Sequence, residues 1–245
     1  MHESEIEFVH VEKSFKSNDG RVPVLKGISG KVEKGTILTI IGPSGSGKST
    51  ILSLCNLLQT PEEGEILVGG KAVKEWDVQL LRRYAGIAFQ SAPMIKGTVL
   101  DNLSLPQRLQ GLSLEDPLSF LQYVGLSEDL IMREATELSG GQKQRLSLAR
   151  TLVNKPSILL LDEVTSALDP KAAGEVEELI LRINREQHTT ILWVTHDLAQ
   201  AERVGDQTWF ISEGQLVEAA PTIAFFHEPQ DQRTIEFLEL SRARA

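Results

Sequence analysis

Residues 42–49 read GPSGSGKS, matching the spacing G-x-x-x-x-G-K-[ST] with Gly42, Gly47, Lys48 and Ser49 at the fixed places. Glycines let the backbone curl until successive N–H groups converge on one anion. A helix beginning near Lys48 aims its positive end at the same point. Lys48 adds a mobile charge for outer phosphates, and Ser49 offers a hydroxyl to the magnesium that accompanies them. This is the chemistry of a nucleoside triphosphate cradle, walled by Gly42, Pro43, Ser44, Gly45, Ser46, Gly47, Lys48, Ser49 and Thr50.

Two further groups carry reactive side chains. Residues 158–163 read ILLLDE, an apolar run suited to a strand covered on both faces. The C-terminal ends of such strands are where open α/β sheets bind ligands. Asp162 is placed there to hold magnesium through its water shell, and Glu163, pointing elsewhere, to polarise an attacking water. Without the phosphate loop the pair would read as two solvated acids. Ser139-Gly140-Gly141-Gln142 forms an S-x-x-Q capping box at a helix start, and its two glycines make that helix end a second anion site.

The elements that must position these groups follow from periodicity. A buried strand leads into the phosphate loop and an amphipathic helix leaves it, together spanning residues 36–58. Upstream, an alternating strand at 5–11, a turn at 17–20 (SNDG) and strands at 22–25 and 27–35 are expected. Strands at 65–68 and 85–89 flank a helix at 77–83. From 91 to 153 strands vanish and helical patterns separated by Pro93, Pro106, Gly111, Pro117 and Gly125 take over, which reads as an insertion. Strands return at 157–161 and 190–194 around a helix at 172–185, an order that implies a parallel sheet with right-handed crossovers. A hairpin around Gly214 (strands at 208–211 and 215–218) precedes a helical tail at 234–240.

Bulk properties narrow the class. The 245 residues carry 25 basic and 34 acidic side chains, a net charge of −9, which ill suits gripping nucleic acid or an anionic bilayer by charge. A single cysteine, Cys55, suits a reducing compartment. No apolar run approaches the roughly 18 residues of a spanning helix, and the acidic start lacks a signal-peptide layout. An intracellular protein that meets a membrane through a partner is therefore expected.

LSGGQ at 138–142, followed by KQRLSLAR and shortly by ILLLDE, resembles the signature of the ATP-binding-cassette ATPases. Motifs occur in that family's order over essentially the whole chain. The resemblance implies an α/β fold: a P-loop NTPase core with a mostly parallel sheet (residues 1–90 and 154–245), an N-terminal antiparallel β-subdomain and an inserted α-helical subdomain (91–153), all in one ATPase domain of residues 1–245. It implies ATP and Mg2+ as ligands, and that Ser139, Gly140, Gly141 and Gln142 close over the γ-phosphate of an opposite subunit. Gln90 resembles the Q-loop glutamine, which touches magnesium and senses a transmembrane partner. Residues 166–169 match the D-loop that crosses the dimer interface, and His196 the switch histidine at the γ-phosphate. Phe15 sits where an aromatic stacks on adenine, or else is a core aromatic of the first hairpin. The single tryptophans Trp76, Trp193 and Trp209 read as packing.

The function so implied is ATP hydrolysis that energises a transporter through dimerisation, with a second copy of the chain and a separately encoded membrane permease as partners and no nucleic acid. A peripheral place on the cytoplasmic face of the membrane follows. A soluble cassette ATPase of DNA repair or translation is the alternative, but long heptads, a cysteine cluster and a second phosphate loop are all missing. Overall the chain resembles ATPases of the phosphate-importer kind and those of iron or metal permeases, so an inorganic ion is the expected cargo. Met94, Ile95, Val99 and Leu103 form either a groove for the permease or the packing face of the inserted subdomain.

Overall fold

The computed structural model describes residues 3–17 and 20–242. In chain order the strands and helices are β1 (Ser4–Ser17), β2 (Gly20–Glu33), β3 (Ile37–Ile41), α1 (Lys48–Cys55), β4 (Glu63–Val68), β5 (Lys71–Ala72), α2 (Val78–Tyr84) and β6 (Ala85–Ala88). The inserted part holds α3 (Val99–Arg108), α4 (Pro117–Tyr123) and α5 (Gly140–Leu152). Then follow β7 (Ile158–Asp162), α6 (Pro170–Gln187), β8 (Thr190–Val194), α7 (Leu198–Val204), β9 (Gln207–Ser212), β10 (Gln215–Pro221), α8 (Thr222–His227) and α9 (Gln232–Arg242).

Two sheets result. A six-stranded sheet runs β10-β9-β3-β8-β7-β6, parallel except where β10 returns beside β9. A four-stranded antiparallel sheet runs β2-β1-β4-β5. Because side chains alternate along a strand, the central strands feed two different cores. Leu38, Ile40, Leu160, Leu192 and Val194 face α1 and the antiparallel sheet, where they meet Ile51, Ile6 and Ile66. Ile37, Leu159, Leu161, Ile191 and Trp193 face the other way, toward α6 and the helical insertion, and pack with Val176, Ile180, Leu103 and Leu146. The parallel sheet is thus covered on both sides, as its apolar runs require. A smaller cluster of Ile41, Phe210, Phe225, Phe226 and Leu238 seats the last two helices.

Several expectations change in detail. The strands expected at 22–25 and 27–35 are one strand, β2. Gly27 (φ +78°) is skipped in the pairing of Val11 with Ile28 and Glu12 with Lys26, so it bulges the ladder without ending it. Of the turn at 17–20, Asn18 and Asp19 lie outside the described residues. α1 stops at Cys55, and Leu57 takes a left-handed conformation (φ +53°) that prevents continuation to 58. The sequence pattern predicts no helix after His196, where the structure has α7; Asp197 caps it by accepting a hydrogen bond from the Gln200 N–H. Val99 and Leu103 are fully buried in the core between α3 and the sheet, so they pack the insertion and offer no groove. Phe15 is 36% exposed on β1 and is not a core aromatic. Trp193 and Trp209 are buried, and Trp76 donates its indole N–H to the Val68 carbonyl, as packing roles require.

Candidate nucleotide site

The strand β3 delivers the phosphate loop to the C-terminal edge of the sheet. Two glycines there have no substitute. A Cβ on Gly42 (φ +147°) would sit 2.0 Å from the Ile211 carbonyl oxygen, and one on Gly47 (φ +103°) 2.5 Å from Leu25 Cδ2. The loop crown, Pro43, Ser44 and Gly45, is exposed, whereas Ser46 and Lys48 are buried. Lys48 Nζ turns back into the loop and donates to the carbonyls of Gly42 and Pro43, each at 2.8 Å. Burial lowers the Lys48 pKa, against the pull of Glu163 and Asp162. The Ser46 hydroxyl is buried without a hydrogen-bond partner, and α1 starts without a side-chain cap. Convergent donors lacking internal partners, around one ammonium, are what a polyphosphate would satisfy.

The neighbouring strand ends bring the acids to this loop. Ser49 Oγ donates to Asp162 Oδ1 at 2.8 Å, which places the hydroxyl and the carboxylate side by side. Burial raises the Asp162 pKa; the Ser49 hydrogen bond and Lys48 act against it, and Glu163 with it. One hydroxyl and one carboxylate are hard oxygen donors, a partial set that suits a magnesium ion completing its shell with phosphate and water. Among the described residues no group of three His, Cys, Asp or Glu forms a metal cage by itself.

Glu163 follows in a left-handed conformation (φ +50°), uncommon for a residue with a side chain and costing about 1–3 kcal/mol when it is held there. Its N–H bonds the Val194 carbonyl at 3.0 Å, which turns the carboxylate away from Asp162's partner and toward His196. His196 Nδ1 lies 3.3 Å from Glu163 Oε2. β8 supplies that histidine, with Thr195 N–H tied to the Ile40 carbonyl of β3. Gln90 does not reach Asp162 or Ser49; its Nε2 donates to Ser166 Oγ at 2.9 Å, and Ser166 Oγ donates to the Glu163 carbonyl, also at 2.9 Å.

Lys48, Ser49, Asp162, Glu163 and His196 are thus brought together, with Gln90 attached through Ser166. The signature residues stand apart. Ser139 and Gln142 complete the expected box, Gln142 N–H to Ser139 Oγ at 3.3 Å and Ser139 N–H to Gln142 Oε1 at 3.0 Å. Gly141 packs so closely on α6 that a Cβ would meet Ala172 Cβ at 2.8 Å. Among the described residues no hydrogen bond joins residues 139–142 to the phosphate loop or Glu163. Phe15 pairs with Val22, two residues along β1 from Lys13, which pairs with Leu25 at the Gly47 contact.

The sequence profile of the ABC transporter family matches residues 25–166. The chain belongs to the ABC transporter ATP-binding family. YjkB of Bacillus subtilis, a provisionally named ABC transporter ATP-binding protein, is 52% identical over 96% of this chain and 94% of its own. The methionine import ATP-binding protein MetN 1 of Listeria innocua is 38% identical over 95% of this chain and 71% of its own. Among solved structures, the dimeric post-hydrolysis state of the ATP-binding cassette MJ0796 with ADP and Pi matches at a TM-score of 0.80, 30% identity, over 89% of this chain and 98% of that one. The cbiO1 chain of Clostridium perfringens, part of the transporter complex cbiONQ, also reaches 0.80, at 27% identity, over 98% and 96%.

As an ABC ATPase subunit the chain binds and hydrolyses ATP, and its fold is that of the cassette. Two features of this cassette escaped the sequence. One is a groove of about 560 Å³ between β6 and α3, with Leu58, Phe89 and Leu109 exposed along it and Arg82 and Arg150 in its wall. Leu109, directly after α3, is 79% exposed, whereas Val99 and Leu103 at the start of that helix are buried. The other is a polar cluster behind Glu163 and His196, made by Thr165, Glu177, Gln200 and Arg203. Its signal was the i, i+3 spacing of Gln200 and Arg203 on a helix that was not anticipated.

Proposed function

We propose that two copies of this chain form an ATP-driven dimer that powers a separately encoded membrane permease. Each copy holds ATP on Gly42–Thr50 by its loop N–H groups, with Lys48 released from its own carbonyls onto the outer phosphates. Ser49 and Asp162 would hold the magnesium, which would supply charge neutralisation to the phosphates. Phe15 stacks on the adenine. Ser139, Gly140, Gly141 and Gln142 of each copy cap the partner's γ-phosphate, since they reach no phosphate loop within their own chain. Glu163 accepts the proton of the attacking water, His196 orients it and meets the γ-phosphate, and Gln90 reports the state of the site to the permease.

The contacts Ser49–Asp162, Glu163–His196 and Gln90–Ser166–Glu163 carry this reading, because they join the ends of β6, β7 and β8 to the helix that follows β3. The core spans residues up to 90 and from 154 onward, and 91–153 is the subdomain that carries the signature. The permease docks in the groove of Leu58, Phe89 and Leu109, whose exposed apolar rim and three arginines, Arg82, Arg83 and Arg150, suit a short amphipathic helix with an acidic side chain. That docking places the chain at the cytoplasmic face of the membrane; no described helix is long and apolar enough to cross one itself. The relatives named for a solute are methionine importers, which draws the cargo away from phosphate or iron and toward a small organic solute.

Substituting Glu163→Gln tests the chemistry. With ATP present the variant should elute as a stable dimer and lose about a thousandfold in turnover, the scale expected for removing a general base together with its charge. Monomer under these conditions, with turnover intact, would remove Glu163 from the mechanism.

A further inference from the structure

Directly behind the catalytic pair lies a set of polar side chains that hydrolysis does not use. Thr165 stands two residues beyond Glu163, Glu177 lies on α6, and Gln200 and Arg203 lie on α7. Three of the four are withdrawn from solvent, Gln200 at 3%, Glu177 at 8% and Thr165 at 9% exposure. Gln200 Nε2 donates to Thr165 Oγ1 at 3.0 Å and to Glu177 Oε2 at 3.3 Å. Arg203 grips both oxygens of Glu177 at 2.7 Å, a two-pronged contact that fixes orientation as well as distance. Burial pushes the Glu177 carboxyl up; the hydrogen bonds from Arg203 and Gln200 outweigh it and hold the carboxyl below its ordinary range.

Placement gives the cluster its meaning. Thr165 opens the segment 166–169, whose Asp169 caps α6, and Glu177 is two turns further along that helix. α7 is only seven residues long and begins two residues after His196, so any rotation of α7 carries His196 with it. Ala201 and Val204 fix the inner side of α7 by burial, and Gln200 and Arg203 fix its side toward α6. The cluster also walls a cavity of about 670 Å³ that Glu163, Ser166 and His196 border, so the catalytic pair has free space on the side the cluster defines. From Thr165 the connection runs on through Ser166 to Gln90. An ion pair whose arginine is largely exposed adds little stability; what the two-pronged contact confers is a fixed relative geometry.

We propose that Thr165, Glu177, Gln200 and Arg203 are a positioning brace that makes the segment 166–169 and His196 move as one body, so that contact of a second copy with 166–169 sets His196 against Glu163 in the first. This rests on Glu163 and His196 carrying hydrolysis in a two-copy assembly. The brace then makes turnover in one site depend on nucleotide in the other, while the phosphate loop binds ATP independently of it.

The test measures ATP hydrolysis against ATP concentration for the full chain and for Arg203→Ala, Arg203→Lys and Glu177→Gln, with ATP affinity and thermal unfolding measured alongside. Loss of the brace should lower kcat about tenfold in Arg203→Ala with KM unchanged, since small misplacements of catalytic groups act on kcat. It should also bring the Hill coefficient from above 1 to 1. Arg203→Lys, which keeps the charge without the fork, should recover part of kcat. If Arg203→Ala fails to fold, Glu177→Gln, which keeps the shape and the Gln200 contact, is read in the same way. Variants that melt earlier but keep kcat and Hill coefficient within twofold of the parent well below the melting point would make the cluster structural only and overturn the brace, as would a Hill coefficient of 1 in the parent. Glu163→Gln run in parallel separates the two claims: if it is inactive while Arg203→Ala is normal, the brace alone falls, and if it turns over normally, the hydrolytic reading falls and the brace with it.

Discussion

The helix that opens at the phosphate loop and the helix that opens at the signature are both built to meet an anion, yet they begin differently. α2 through α7 each start with a side-chain cap: Asp77, Thr98, Asp116, Ser139, Asp169 and Asp197 accept from the first-turn N–H groups. α1 does not; Gly47 precedes it in a left-handed conformation, and no side chain closes its first turn. Every helix end carries unsatisfied donors. At α1 they are left for a ligand, with the Lys48 ammonium drawn in beside them. At α5 the Ser139–Gln142 box already satisfies two, so a phosphate arriving there must share or displace internal bonds. The first end can bind nucleotide by itself. In the proposed dimer the second adds to binding only when another copy presents the phosphate at the right place, and this asymmetry would make dimerisation depend on ATP.

The largest effect separating the two ends is expected at Lys48. Lys48→Ala should weaken ATP binding about a hundredfold or more by removing a charge-assisted contact to the phosphates. It should not lower the melting temperature of the nucleotide-free protein, because burial disfavours that ammonium in the fold. Isothermal titration with ATP and thermal unfolding without it check both halves. Ser139→Ala should do the reverse: about 1 kcal/mol of stability lost with the cap, ATP affinity of the separate chain unchanged, and the ATP-dependent dimer of a Glu163→Gln background lost. If Ser139→Ala weakened ATP binding by the monomer, the two ends would not be divided between two copies.

How much of this was legible in the sequence depended on whether the signal was local. Residues 42–49 and 158–163 were readable because each packs strand, turn and helix information into one stretch, and the structure brings Ser49 to Asp162 as the two motifs require. The helical insertion was readable from lost alternation and repeated Pro and Gly. β2 reads as two strands in the sequence because Gly27 looks like punctuation; only the pairing with β1 shows that the glycine absorbs one residue and lets the ladder continue. The apolar residues Met94, Ile95, Val99 and Leu103 could not be divided between groove and core from one chain segment. Val99 and Leu103 belong to the core because α3 lies on the sheet face that Leu159, Leu161 and Trp193 present, a face set by residues 56 to 94 positions away. Phe15 and Gln90 illustrate the same limit. The ring's exposure and the glutamine's bond to Ser166, 76 residues distant, are products of tertiary placement.

The smallest effect expected concerns the internally closed polar groups, which by this contrast should contribute to stability with a pH signature. Glu177 is held below the ordinary carboxylate range because the hydrogen bonds from Arg203 and Gln200 outweigh the opposing effect of burial. A carboxyl whose pKa is lower in the fold than in the unfolded chain stabilises fully above the unfolded value, and that contribution is lost as pH falls through the folded value. Glu177→Gln should therefore be less stable than the parent by about 1 kcal/mol near neutrality, since Arg203 is largely exposed and the pair is screened. The gap should close as the solution is made acid enough to protonate Glu177 in the folded parent. Urea unfolding of both proteins across the acid range measures the gap directly. A gap that stayed constant into strong acid would mean that the charge of Glu177 is not what holds α6 to α7.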